Sequence, residues 1–307
     1  MVGSQRRLQQ LRHCHRVRVD RFQTGEVLVS KPSPSYGKRV CVDSLSIRGG
    51  FIGNTIDTKD AQFAAFEALT GSNPYDPYAA LINSYVYTAA TNSWYTASNF
   101  EYTKSGGEVN PPVFANFTSL PQTFSTMRVS NLTDFTLELA GSNADGRRQL
   151  FVTGTYGNSA KMMSTIFDIA NRTVQALSVP NLAYSLSFQP MPTAITSKAA
   201  SRGGNSLGLS ASDDNLFNLL LTVSWDTIAD DERIEQHAKV LFQQSEDEAK
   251  KLGLYNEYLY LNYAASWQDP ISGYGATQKA KLQAVSKKYD PKGVFQKQVP
   301  GGFKLFD

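Results

Sequence analysis

Apolar residues recur at two periods along this chain, and the switches between them divide it into elements. Positions 81–88 and 93–103 alternate apolar or aromatic residues with polar ones, the period of a half-buried strand. The four residues between them are few enough for an antiparallel hairpin. Gly49-Gly50-Phe51-Ile52-Gly53 predicts a glycine-led strand, and 136–140 and 149–155 predict two more around the turn Asn143-Ala144-Asp145-Gly146. The run 182–190 alternates strongly until Gln189-Pro190-Met191-Pro192 ends it, and 216–225, the most apolar stretch, predicts a central strand. Positions 258–263 alternate again, which would set Tyr260 and Asn262 on one strand face. Spacings of three and four predict helices: Phe63, Phe66 and Leu69 behind an Asp57 cap and before Gly71; Met162, Ile166 and Ile169 behind Asn158. A third carries Ile234, Ala238, Leu241, Ala249 and Leu252 between the acidic start Asp230-Asp231-Glu232 and Gly253. A fourth, 277–289, puts Leu282, Val285 and Tyr289 on one face, and Asp290-Pro291-Lys292-Gly293 then turns the chain. Pro111-Pro112 opens an extended linker, and 117–129 reads as irregular.

Strands grouped in hairpins with helices falling between them argue for an α+β fold, an antiparallel sheet covered on one face by helices. The aromatic residues of the hairpin, Tyr85, Tyr87, Trp94, Tyr95, Phe100 and Tyr102, read as sheet packing. Composition changes this picture little. The chain has 307 residues and a net charge of +3, enough for one large core or two domains. Its basic residues are dispersed apart from six arginines between Arg6 and Arg21, so no nucleic-acid partner is expected. No apolar run is long enough to span a membrane. Cys14 and Cys41 cannot build a disulfide scaffold, and His13-Cys14-His15 matches no zinc spacing, so no metal site is expected. A hydrolase would have to rest on His237, which reads as exposed on a polar helix, and no G-x-S-x-G elbow accompanies it.

The most specific wording lies near the C-terminus. Y-x-N-Y-A, then Q-D-P-I-x-x-Y-G, then L-x-x-V-x-x-K-Y-D-P-x-G-V-F-Q, all between Tyr260 and Gln296, closely resembles the C-terminal segment of FAD-linked oxidoreductases of the berberine bridge enzyme type, in its fungal branch. The resemblance implies an FAD cofactor, a small-molecule substrate and hydride transfer to flavin from an alcohol, an amine or a ring-closing substrate in secondary-metabolite biosynthesis. It implies three parts: 1–48, an anomalous leader; 49–255, a substrate-binding domain; and 256–307, a segment that would return to a flavin-binding domain missing from this chain. Codons can be chosen for residues 9–18 so that reading one base later gives Asn-Asn-Phe-Gly-Ile-Val-Thr-Ala-Phe. That wording resembles the segment closing the family's flavin-binding domain, so the leader reads as mistranslated or disordered.

On the same resemblance Tyr260 and Asn262 lie beside the flavin ring and its ribityl chain, and Tyr260 or Tyr263 serves as the base. The stretch from Gln189 through Arg202 to Asn205 lines the substrate, with Arg202-Gly203-Gly204-Asn205 similar to an R-x-G-N turn of plant relatives. Some of those relatives place a catalytic glutamate six residues before the arginine. Thr196 stands there instead and cannot act as a carboxylate base. The other reading is a truncated, catalytically silent remnant that folds without flavin. Asn116, Asn131 and Asn171 open N-x-T sequons in expected loops or element ends, which allows a secretory route; neither localisation nor oligomeric state is fixed by the residues.

Overall fold

In the computed structural model, which describes residues 46–141 and 145–306, the long strands form one antiparallel sheet. In chain order the elements are β1 (Ile47–Thr55), α1 (Lys59–Thr70), β2 (Ala79–Thr88), β3 (Ser93–Tyr102), the single turn α2 (Ala115–Thr118), β4 (Phe124–Ser125), β5 (Arg128–Ser130) and α3 (Leu132–Gly141). Then come β6 (Arg148–Gly157), α4 (Ala160–Val174), β7 (Ala183–Met191), the turn α5 (Thr193–Thr196), β8 (Leu216–Trp225), α6 (Asp231–Leu252), β9 (Tyr255–Asn256), α7 (Ala276–Tyr289) and α8 (Val294–Lys297). The strand order is β4-β1-β3-β2-β7-β8-β6-β9, with β5 also on the β1 edge. The α+β class and the hairpin are as expected, and β8 is an interior strand. Residues 1–45 of the leader, with His13-Cys14-His15 and Cys41, and residues 143–144 of the expected turn lie outside the described residues, whereas the leader's last two residues, Ile47 and Arg48, belong to β1.

Period-two alternation decides which side each residue serves. Tyr85 on β2, Phe100 on β3, Leu186 and Phe188 on β7, and Phe217, Leu219 and Leu221 on β8 all point to the helical side and are buried. There Phe63 and Phe66 of α1, Met162 and Ile166 of α4, and Ile234, Ala238 and Leu241 of α6 meet them. Tyr85 is ringed by Phe63 at 4.7 Å, Phe167 at 5.6 Å and Phe188 at 5.7 Å between centroids. Such tilted and edge-to-face pairs each add about 0.5–1.5 kcal/mol beyond burial.

Several local expectations are overturned. Residues 136–140 are helical, within α3. Asn131 Oδ1 accepts the Asp134 N–H at 3.0 Å as an N-terminal cap, and Arg128 holds the first two turns through Asp134 and Glu138 while lying over the Phe135 ring. Asp57 does not cap α1 but sits in a preceding 3-10 turn, Ile56–Thr58. Ser159, not Asn158, caps α4 by accepting from Met162 N; Asn158 instead donates to the Glu67 carbonyl at 2.9 Å and ties α4 to α1. Leu252 is 37% exposed, and Ser245 takes the buried place in the α6 stripe. The face expected from α7 is open: Val285 is 54% and Tyr289 75% exposed. The stretch 117–129 supplies β4 and β5, which pair with β1. Asn171 is inside α4, its Oδ1 accepting from Trp94 Nε1 at 2.9 Å, so that sequon is not in a loop. No helix among the described residues is long and apolar enough to cross a membrane.

The strand expected over 258–263 is also absent. Only Tyr255 and Asn256 pair with β6, and Asn256 Oδ1 then accepts the Tyr258 N–H at 2.9 Å, turning the chain off the edge. Farther along that edge a side chain replaces a strand. Gln268 accepts the Thr153 N–H on Oε1 at 3.1 Å and donates Nε2 to the Thr153 carbonyl at 2.7 Å, a copy of ladder pairing. Replacing it, Gln268→Ala, strips both partners from a buried backbone position. That should cost about 1–3 kcal/mol, read by urea unfolding, and speed amide exchange at Thr153 selectively.

His237 is not exposed as expected. It lies three residues from Ile234 and four from Leu241, on the packed side of α6, with Nε2 3.3 Å from the Tyr184 hydroxyl. Burial pushes its pKa down from 6.5 to about 4. Between those values the unfolded chain binds the extra proton, so stability is full above about pH 6.5 and falls toward pH 4. Unfolding at pH 7 and pH 4 should show wild type losing more than His237→Gln, by up to about 3 kcal/mol; equal losses would place the imidazole in water.

Candidate active site

The C-terminal aromatic residues, denied a strand, divide between two surroundings. Tyr258 goes inward and stacks on Tyr274 at 6.0 Å with a 21° angle; with Ile271 they form a small separate core. Met191 and Leu209 pack on that core, so it joins the segment after β7 to the C-terminal segment. The contact is close. A Cβ at Gly208, whose φ is +78°, would lie 2.5 Å from the Tyr274 carbonyl oxygen, and one at Gly273 would lie 2.4 Å from that of Glu257.

Tyr260, which also packs against that core, and Tyr263 are half-buried. Leu261–Tyr263 is a 3-10 turn, closed by Tyr263 N donating to the Tyr260 carbonyl at 2.8 Å. The turn brings the two rings edge to face, 4.7 Å apart. Asn262 Nδ2 donates to the Tyr260 hydroxyl at 2.8 Å. Gln189, at the end of β7, donates Nε2 to the Tyr263 hydroxyl at 3.1 Å, and Phe151 of β6 stands edge-on to that ring at 6.2 Å. Four of the expected residues therefore converge, though by a turn and not by a shared strand face. Each phenol oxygen accepts a bond from an amide, which leaves its own proton for another acceptor.

The rest of the expected set is arranged differently. Asn205 spends both ends of its amide inside its own loop: Nδ2 donates to the Leu209 carbonyl and Oδ1 accepts from Leu207 N, each at 2.8 Å. Gly203 and Gly204 have φ of +91° and +87°, so the turn reading of this stretch holds. Arg202 ends a 3-10 turn, Ser197–Arg202. Thr196 is buried. Gln268, which anchors the segment, was quoted in the C-terminal wording but given no role there. The signal was a glutamine directly before an Asp-Pro turn.

Solved structures share this architecture. The chain matches 6-hydroxy-D-nicotine oxidase from Arthrobacter nicotinovorans with a TM-score of 0.60 at 14% identity, over 82% of this chain and 54% of that one. It matches berberine bridge enzyme from Eschscholzia californica at 0.55 and 12% identity, over 85% and 56%. These likenesses show the fold. No family model matches the chain. Among curated proteins, the FAD-dependent monooxygenase sdcF of Emericella nidulans is 35% identical over 264 residues, 85% of this chain and 54% of its own length. The FAD-dependent monooxygenase elcE of Phaeosphaeria nodorum is 36% identical over 269 residues, 84% of this chain and 77% of its own. The chain spans about half the length of several relatives, 50% for CTB5 of Cercospora beticola. Identity at this level, across 77% of elcE, places the chain in the family of these fungal FAD-dependent monooxygenases, with the fold that berberine bridge enzyme shares.

Proposed function

We propose that this chain forms the substrate half of an FAD-linked oxidoreductase acting on an alcohol, an amine or a ring-closing small molecule in secondary-metabolite biosynthesis, with dioxygen as reoxidant. The observation that carries the reading is the pair of phenols with unspent protons, Tyr260 and Tyr263, each braced by an amide at the edge of the sheet. Those residues fit a flavin: aromatic edges, two hydroxyl donors and two amides suit a flat ring bearing carbonyl and nitrogen acceptors. FAD, when bound, accepts the two electrons. Once its own proton has passed to another acceptor, Tyr260 takes the substrate proton as a phenolate; Asn262, which donates to that oxygen, holds it in place and contributes to flavin retention, and Tyr263 is the alternative base. Gln189 positions Tyr263 and contacts substrate. Arg202 and Asn205 belong to the flanking loop, where Asn205 keeps that loop in place. The open face of α7 and α8, with Val285, Tyr289, Val294 and Phe295 exposed, is the surface that would meet a flavin-binding portion.

The relatives' description as monooxygenases favours a second outcome for oxygen, with one atom entering the product; isotopically labelled dioxygen separates the two by product mass. A purified protein that is colourless after supply of FAD would favour the silent-remnant reading. In a flavin-loaded preparation, Tyr260→Phe should lower turnover by about a hundred- to ten-thousand-fold with flavin content unchanged. Asn262→Ala should lower flavin retention, by about 1 kcal/mol for one lost hydrogen bond. Because Asn262 also holds the Tyr260 hydroxyl, its effect on turnover should shrink in the Tyr260→Phe background. Wild-type turnover for Tyr260→Phe at full flavin occupancy would move the base to Tyr263.

A further inference from the structure

The face of the sheet turned away from α1, α4 and α6 mixes polar side chains with apolar ones such as Ile82, Val86 and Leu220 and is almost without charge. Reading across it, Ser84 pairs with Ser187, Ser185 with Thr222, and Gln189 with Asn218. Ser84 and Ser187 hydroxyls are 2.8 Å apart, and Asn218 Nδ2 donates to Thr153 Oγ1 at 3.1 Å. Within this face of β1, β2, β3, β6, β7 and β8, one carboxyl appears: Glu101 of β3. Its neighbours Phe100 and Tyr102 point to the helical side, and alternation sends Glu101 to the other.

Among the described residues no side chain pairs with that carboxyl. Its cross-strand partners are Gly49 on β1 and Ala80 on β2, which bring no polar or titratable side chain to it. Among the described residues no ion pair or hydrogen bond engages it, and burial raises its pKa from 4.5 to about 7. Two residues along on the same face, Asn99 is 2% exposed, and its Oδ1 is buried with no partner. An unpaired buried acceptor such as Asn99 Oδ1 costs about 1–3 kcal/mol, and the half-buried, unpaired Glu101 carboxyl stands two residues along from it. Both are oxygens that call for a donor. Asn83 pairs with Phe188, so Gln189 falls beside Ile82, which pairs with Asn99. At the usual strand spacing and rise, Glu101 and Gln189 are then on the order of 12 Å apart between Cα atoms, a span that admits a flat two-ring molecule.

We infer that Glu101, with Asn99 behind it, is a substrate anchor that accepts a hydrogen bond from a hydroxyl of a neutral, oxygen-rich molecule lying on this face toward Gln189 and Tyr263. The inference rests on the proposed function for the identity of the bound molecule as substrate. The hydroxyl-lined rows of Ser84, Ser185, Ser187 and Thr222 favour an oxygen-rich ligand over a cation, which would find a single charge to pair with.

The test is a binding titration of the full 307-residue chain, with amide shifts followed by NMR. The probes are 2,7-dihydroxynaphthalene, its dimethyl ether and 2-naphthylmethylamine. The diol should bind and shift Asn99, Glu101 and Ser84. Glu101→Ala should weaken it about tenfold, the equivalent of one good hydrogen bond, and Glu101→Gln, which retains an acceptor oxygen, by less. The ether should be insensitive to either change. At pH 8 Glu101→Gln should raise the unfolding temperature, because the folded wild type then holds a desolvated charge that the unfolded chain does not; a structural glutamate would show a fall. Equal diol affinity in wild type and Glu101→Ala, no binding of the diol, or tighter Glu101-dependent binding of the amine would each overturn the inference. Flavin takes no part in the measurement, so such a failure leaves the redox reading standing.

Discussion

Alternation along the strands of a two-faced sheet is the constraint on which everything else here depends. Every second residue of β2, β3, β7 and β8 must satisfy α1, α4 and α6, and these positions are filled with large aromatic and aliphatic groups. The intervening positions are thereby released from the core. Among Ile82, Val86 and Leu220 they carry serine, threonine, asparagine and glutamine, which would cost several kcal/mol per group if a second helical layer covered them unpaired. A polar face at the middle of a sheet is tolerated because something polar, water or ligand, meets it.

The C-terminal segment exploits the end of that sheet. Its attachment to β6 is two residues of β9 and one glutamine, so Gln268 does by side chain what a strand would do by backbone. A continued strand over 258–263 would have spent the backbone of Tyr260–Tyr263 on pairing and fixed its side chains perpendicular to the sheet. Ending the strand early lets the chain turn through Leu261–Tyr263 and bring two phenols within 4.7 Å of each other. The inward partner, Tyr258 on Tyr274, holds that turn in place from behind.

What was legible in the residues was what local periodicity decides. The hairpin, β7, β8, α1, α4, α6 and α7 follow from spacing; the C-terminal wording pointed to Tyr260, Asn262 and Tyr263, and the resemblance over 189–205 to Gln189. Misreadings arose where a single side chain outweighed the pattern. Thr-Leu-Glu-Leu-Ala, 136–140, alternates like a strand, but the Asn131 cap and the Arg128 bridges to Asp134 and Glu138 make it α3. His237 looked solvated because its sequence neighbours are charged, although its spacing from Ile234 and Leu241 placed it on the buried stripe. Asn205 resembled a site residue and closes a loop instead, a distinction that depends on where the Leu209 carbonyl lies. The roles of Arg128 and Asn205 depend on which groups meet in space, whereas the spacing of His237 was there to be read.

Two titratable groups are buried here in opposite senses, and the contrast separates packing from function. His237 is driven toward its neutral form beside Tyr184 within the apolar layer, where neutrality suits the core. Glu101 is driven toward its neutral form as well, but on the opposite face of the sheet, between a glycine and an alanine that offer it no polar partner. Raising pH through the two ranges therefore strengthens the fold at one site and weakens it at the other. A histidine of the first kind is explained by the protein that surrounds it. A carboxyl of the second kind, unpaired and facing outward beside an unpaired amide oxygen, is completed by a donor that comes from outside the fold.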